Sequence, residues 1–184
     1  MRNLLLTIFT VSLVFFACGK SKKENSEDLN KPITQPISKP VDSTNVELSV
    51  YDFEGFERLL EQDEGKTHVI NFWATWCAPC VKELPYFEKL NANFKDDGVE
   101  VVLVSLDFPH LYDKKLKPFI IKNKLQSKVV ALDDPNMNDW IPKVSDTWSG
   151  SIPATIIYNK NLRKFYEQSF SYEELETELQ QFLN

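Results

Sequence analysis

Val69-Ile70-Asn71-Phe72-Trp73-Ala74-Thr75-Trp76-Cys77-Ala78-Pro79-Cys80-Val81-Lys82-Glu83-Leu84-Pro85 joins a nearly continuous apolar run to a helical pattern, with two cysteines three residues apart at the joint. An apolar run such as Val69 to Trp73, bounded by polar residues, fits a strand covered on both faces, the situation of a central strand in an α/β sheet. A helix follows from about Ala78. Its apolar positions Val81, Leu84, Phe87, Leu90 and Phe94 recur every three or four residues, and Asp97-Gly98 closes it. Pro85 lies inside that helix, where its ring must clash with the carbonyl of Val81 and kink the axis.

Working outward, Val99 to Leu106 reads as the next buried strand. Upstream lie a short strand near Val46 to Val50 and a helix carrying Phe53, Phe56, Leu59 and Leu60. Downstream, Pro118 opens a helix through about Lys124, Lys128 to Leu132 is a strand, and Asp133-Asp134-Pro135 turns the chain. Ala154 to Tyr158 and Leu162 to Tyr166, joined by Asn159-Lys160-Asn161, form a hairpin. Ser171 and Glu174 make a capping box for a last helix that buries Tyr172, Leu175, Leu179 and Phe182. Parallel βαβ followed by a hairpin and a closing helix predicts an α/β, thioredoxin-like fold: a central mixed β-sheet flanked by helices. The expected extent of this domain is 46–184.

The position of the cysteines decides their chemistry. With Cys77 at the helix N-terminus and Cys80 in the first turn, free N–H groups and the helix dipole stabilise a thiolate on Cys77. Cys80 is then close enough to attack a mixed disulfide, so Cys77 attacks and Cys80 resolves. Two plainer readings compete. A structural zinc site usually needs four ligands, and no second C-x-x-C is present. An inert disulfide across three residues closes too small a loop to stabilise much. His68 and His110 read as ordinary surface or strand-end residues. Helical geometry places Glu83 inside the arc of Leu84, Phe87, Leu90 and Phe94, where a partly desolvated carboxyl has a raised pKa and suits proton transfer with Cys80. The rival reading lets that side chain escape to water.

The stretch from Asn71 to Pro85 resembles the active site of the TlpA-like and ResA-like membrane-tethered thioredoxins, and the resemblance extends from about Val46 to the C-terminus. It implies a thiol-disulfide oxidoreductase in which Cys77 is the nucleophile, Cys80 resolves and Glu83 is the active-site glutamate. Ordinary thioredoxins bury an aspartate six residues before the first cysteine. Here Asn71 stands there and cannot titrate, so a proton role shifts to Glu83. Ser151-Ile152-Pro153-Ala154-Thr155 resembles the loop that carries a cis-proline opposite the cysteines in this fold. It implies that the Ile152 backbone is exposed for strand-like pairing with substrate and that metal is kept from the thiols. Trp76, Ile152 and Pro153 are thus the expected substrate groove, whereas Trp140 and Trp148 read first as packing residues, with lining of that groove as the alternative. No cofactor and no metal are expected.

The termini and composition set the setting. Arg2 followed by Leu4 to Phe16, interrupted only by Thr7, Thr10 and Ser12, is an export signal, and its apolar core is shorter than the roughly 18 residues a membrane span requires. Phe15-Phe16-Ala17-Cys18 resembles a bacterial lipobox. The expectation is a lipoprotein signal peptide over 1–17 and lipidation at Cys18. Assigning Cys18 to a lipid leaves one pair from three cysteines, which resolves an odd count in an exported chain. Residues 18–45 are rich in Lys, Ser, Glu, Asn and Pro and read as a flexible tether. Such a tether spans roughly 30 Å and at most about 90 Å. Lys20, Lys22 and Lys23 read as solvated linker charges, since Glu24, Glu27 and Asp28 follow. The 184 residues suit one ordinary domain plus appendages, and a net charge of -6 without clustered Lys and Arg excludes a nucleic-acid surface.

Ala78-Pro79 supplies no cation to hold a thiolate strongly, so the pair reads as a reductant. Outside the cytoplasm a reductant needs electrons from a membrane partner, and the resemblance implies a DsbD-like or CcdA-like donor. It also implies oxidised cysteine pairs in other exported proteins as substrates, apocytochromes c among them. The expected location is the periplasmic side of the cell envelope, on a membrane. A disulfide-forming oxidant would share every residue named. A peroxidase of the peroxiredoxin group would carry Thr three residues before its reactive cysteine, whereas Thr75 lies two before Cys77. A non-enzymatic binding lipoprotein or copper carrier would place Met or His beside the pair, and only Met1 and Met137 occur.

Overall fold

β2 (Thr67–Trp73) is buried at all positions, which demands a neighbour on each edge and cover on each face. A computed structural model of the chain, describing residues 46–62 and 64–183, supplies both. β2 pairs in parallel with β3 (Val99–Ser105) and antiparallel with β5 (Ala154–Tyr158). β3 continues to β4 (Lys128–Leu132) and β4 to β1 (Ser49–Tyr51), both parallel, while β5 pairs antiparallel with β6 (Arg163–Tyr166). The order is β1-β4-β3-β2-β5-β6. The signal segment 1–17, Cys18 and the tether 18–45 lie outside the described residues.

Strand alternation sorts the core into two halves. Val69, Trp73, Leu103 and Ile157 meet Leu84, Phe87 and Leu90 of α2 (Ala78–Phe94), with Leu175 and Leu179 of α5 (Tyr172–Gln180). Ile70, Phe72, Val102, Val104 and Ile156 meet Phe53 and Phe56 of α1 (Phe53–Glu57) together with Trp140 and Trp148. Full burial of each such side chain stabilises the fold by about 1.5–3 kcal/mol. Both faces of the central strands β2, β3 and β5 are therefore covered, which among the described residues leaves the strand ends and loops as the place for chemistry. α5 starts with the reciprocal capping box of Ser171 and Glu174 expected from the sequence.

Several boundaries differ from the sequence reading. Only Ser49–Tyr51 pairs as β1, while Val46 and Leu48 pack against the α2 side as half-buried residues. α1 ends at Glu57 and tightens into a 3-10 turn over Arg58–Leu60. α3 (Lys117–Asn123) follows a wider turn at Tyr112–Leu116, in which the Lys117 N–H reaches back to the Tyr112 carbonyl. Pro118, lacking an N–H, cannot continue the ordinary ladder there. α4 (Met137–Val144) was not anticipated: it is short and carries Pro142, although Trp140 and Val144 mark its buried face.

His68 meets the strand-end half of its expectation and departs from the surface half. It sits near the start of β2, but it is 1% exposed rather than on the surface. Its ring stacks on Tyr158 at 4.8 Å, and among the described residues neither ring nitrogen has a hydrogen-bond partner. Burial lowers its pKa from 6.5. Glu100 and Glu64 oppose the shift, while Lys66 and Lys128 reinforce it. The folded state therefore resists protonation that the unfolded chain accepts. Stability linked to His68 is complete above pH 6.5 and declines as pH falls below it, until the lowered folded value is passed. Denaturant titrations at a series of pH values should show a shallower acid-side loss in His68→Phe than in the parent, and parallel curves would refute the assignment. His110 is exposed, as expected, and stacks on Phe108.

Candidate functional site at the Cys77–Cys80 pair

The carboxyl ends of parallel strands leave a crevice where loops must turn away, the usual place for chemistry in an α/β sheet. β2 ends there at Trp73, and the turn to α2 is held by a buried carboxylate. Asp107 accepts the Thr75 N–H at 2.9 Å, the Thr75 hydroxyl at 2.5 Å and the Ser105 hydroxyl at 2.9 Å. The Leu106 N–H donates to the Trp73 carbonyl at 2.8 Å. Asp107 was missed from sequence. Its one signal is an acidic residue directly after a buried strand.

This turn delivers Cys77 to the N-cap of α2, in extended backbone conformation. The Cys80 N–H donates to Cys77 Sγ at 3.3 Å, so the helix presents its positive end to that sulfur. Cys77 and Cys80 form a disulfide with a Cα–Cα distance of 5.3 Å. The two residues are unequally covered: Cys77 keeps 6% exposure and Cys80 none. Such a pair can accept attack at Cys77 when oxidised and deliver attack from Cys77 when reduced.

Cys77 Sγ lies 3.7 Å from the carbonyl oxygen of Ile152, and the Ile152–Pro153 peptide is cis, as the sequence resemblance implied. Ser149, Gly150 and Ser151 precede it. Glu167 pins them by accepting the N–H groups of Ser149 at 3.1 Å and Ser151 at 3.0 Å, together with the Ser149 hydroxyl. These bonds, led by that hydroxyl, hold the Glu167 carboxyl below its usual range. The Trp148 indole N–H donates to the Ser151 carbonyl at 2.8 Å. Glu167 was also invisible in sequence. Beside Cys77 and Ile152, a groove of about 350 Å³ is lined by Trp76, Leu106, Phe108, Met137, Trp140 and Ile152. Trp76 is 56% exposed; Trp148 is buried, as expected of a packing residue, while Trp140 is buried and also lines the groove.

On the sheet side of α2, Glu83 is 1% exposed, so its side chain does not escape to water. Its Oε1 accepts from Asn71 Nδ2 at 3.0 Å and its Oε2 from the Phe170 N–H at 2.8 Å. Asn71 Nδ2 also donates to the Thr155 hydroxyl at 3.2 Å. Burial pushes the Glu83 pKa up to about 7 against the pull of the Phe170 and Asn71 bonds. A carboxyl poised there exchanges protons readily at neutral pH. Cys77, Cys80, Glu83, Trp76, Ile152 and Pro153 thus converge on one end of the sheet, while Cys18 lies outside the described residues.

A family model described as the AhpC/TSA family matches residues 42–163. Thiol-disulfide oxidoreductase ResA of Geobacillus kaustophilus is 28% identical over 150 residues, covering 80% of each chain. Its counterpart in Oceanobacillus iheyensis is 36% identical over 108 residues, 55% of this chain and 50% of the relative. Among solved structures, a thioredoxin-family thiol:disulfide interchange protein from Chlorobium tepidum aligns with TM-score 0.56 and 19% identity, over 66% of this chain and 82% of that one. That likeness concerns the fold, which is thioredoxin-like. With two sulfurs bonded at a helix N-cap and a family match across most of the folded part, the chain belongs to the AhpC/TSA family as a thiol-disulfide oxidoreductase of the ResA/TlpA-like kind.

Proposed function

We propose that the protein is an exported, lipid-anchored reductant of disulfides in other exported proteins, with Cys77 as nucleophile, Cys80 as resolving thiol and Glu83 as proton carrier. The observation that carries this reading is the inequality of the two sulfurs, one at the rim under an N–H and one sealed beneath it. In the reduced enzyme the Cys77 thiolate attacks a substrate disulfide, one substrate sulfur leaves and takes a proton, and a mixed disulfide forms. Glu83 accepts the Cys80 proton. Cys80 attacks Cys77 Sγ, the second substrate thiol departs, and two electrons have passed to substrate. The Cys77–Cys80 disulfide is the product, which a membrane donor of the DsbD or CcdA type must reduce. Trp76, Ile152 and Pro153 flank the entering chain.

Export and anchoring rest on the leader and on Ala17-Cys18-Gly19. Oxidised pairs such as those of apocytochromes c are the substrate class in mind. A peroxidase reading fits less well, because the Thr75 hydroxyl is committed to Asp107 rather than free to meet a peroxide. Equilibration of the pair with dithiol buffers tests the direction. A reductant should have a potential near the thioredoxin value of about -270 mV, and one approaching about -120 mV would make it a disulfide former. Fatty-acid labelling that marks the wild type but not Cys18→Ser checks the anchor, and an unlabelled wild type would remove it.

A further inference from the structure

Both oxygens of Glu83 face an N–H: Asn71 Nδ2 at one and Phe170 N at the other. That arrangement suits the anion. A neutral acid would find no acceptor for its proton in these two partners as they stand, yet a proton carrier must spend part of each cycle in that form. Among the described residues Asn71 Oδ1, which is buried, has no hydrogen-bond partner, an uncommon state for an interior carbonyl oxygen.

These facts resolve together. We propose that Asn71 is a positioning residue whose side-chain amide turns by half a revolution when Glu83 gains a proton, so that Glu83 stays paired in both forms. In the charged state Nδ2 donates to Glu83 and to the Thr155 hydroxyl. After the turn, Oδ1 occupies the same place and accepts the Glu83 O–H and the Thr155 O–H, using its two lone pairs. The Thr155 hydroxyl changes from acceptor to donor, which no aliphatic side chain could do. Neither backbone needs to move, because Asn71 and Thr155 are paired opposite each other in β2 and β5.

The surroundings make this amide the available partner. Glu83 is faced by Asn71 from β2 and by the Phe170 N–H from the segment before α5, and Cys80 lies three residues earlier on α2. No charged side chain contributes to its pKa shift. An aspartate at Asn71 would add a like charge beside Glu83 and split the two titrations. Asparagine supplies the N–H donor that an ionised aspartate lacks, and adds no charge.

This inference rests on Glu83 as the proton carrier, and its test is made on the oxidised protein with no substrate, so electron direction does not enter. The Asn71 side-chain amide signals and the Glu83 carboxyl carbon are followed by NMR between about pH 5 and 9, spanning neutrality. Both should move with one midpoint, and Glu83→Gln should flatten the Asn71 trace. A wild-type Asn71 trace that stays flat while Glu83 titrates overturns the proposal. Asn71→Leu removes a bond from each form, but the bond to the anion is charge-assisted and roughly twice as strong. The Glu83 midpoint should therefore rise by about one pH unit, about tenfold in proton affinity. Thr155→Ser should restore wild-type behaviour that Thr155→Val loses. Unchanged Glu83 midpoints in Asn71→Leu and Thr155→Val would reduce both residues to packing. If Asn71→Leu fails to fold, the wild-type traces and the Thr155 pair decide alone.

Discussion

Cells producing the Cys80→Ser variant are expected to accumulate covalent adducts at Cys77 that the wild-type protein does not retain, and its turnover should fall to background. The expectation follows from the unequal environments of the two sulfurs. Cys77 sits at the N-cap with the Cys80 N–H aimed at it from 3.3 Å, so a thiolate there is stabilised, and the residue keeps 6% exposure next to the exposed Trp76. Cys80 is fully buried, and the only disulfide it can readily meet is one already attached to Cys77. Its attack is intramolecular, with an effective concentration that can reach on the order of 10⁵ M for well-placed groups. External thiols cannot match that. A serine hydroxyl in its place fits the space but is no nucleophile toward sulfur, so captured partners stay bound until an outside thiol releases them. Mass spectrometry of non-reduced adducts would identify them. Cys77→Ser should capture nothing, because the remaining sulfur is sealed. If Cys80→Ser yields no adducts, or Cys77→Ser yields as many, the exchange mechanism proposed here is wrong.

What could be read from the chain alone follows the range of each interaction. Cys77, Cys80 and Glu83 lie within seven residues, where helix geometry dictates who shares a face. The capping box of α5 and the apolar β2 are equally local. The groups that hold the site together are not. Phe170 stands 87 positions from Glu83, and Asp107 stands 32 from Thr75. Glu167 reaches Ser149 and Ser151 only because β6 returns beside the loop before β5. No periodicity reports such pairings, since a single carboxylate in a loop looks like any solvated charge. Pro153 was placed by resemblance rather than by physics. The strand-end place of His68 was legible but its burial was not, because a histidine near a strand end usually reaches water, whereas this one lies flat against Tyr158. α4 escaped notice because Pro142 disguised a Trp140 and Val144 spacing that does mark a helix.

Glu83→Gln should slow exchange by about 10²–10⁴-fold at neutral pH, the usual contribution of a positioned acid or base. The same change should stabilise the fold at alkaline pH. The two effects share one cause. Glu83 has a folded pKa of about 7 against 4.5 for an ordinary glutamate, because burial opposes its charge more than the Phe170 and Asn71 bonds support it. The folded protein therefore binds this proton more tightly than the unfolded chain does. The stability contributed by Glu83 is complete below about pH 4.5 and is lost as pH rises through 7, a change corresponding to about 3 kcal/mol. Glutamine is never charged, and with the Asn71 amide turned it can pair with Phe170 and Asn71 alike. The variant should match the parent in denaturant titrations near pH 4.5 and exceed it at pH 8, while its pH–rate profile loses the inflection near neutrality. That inflection belongs to Glu83 and Cys80 as a coupled pair, since a thiolate one turn away raises the carboxyl further in the reduced enzyme. A variant that keeps both the inflection and the wild-type rate would leave Glu83 as a buried structural acid, and Cys80 would then have to lose its proton to water. For a sulfur with no exposed surface, that route requires the helix start to open on every turnover.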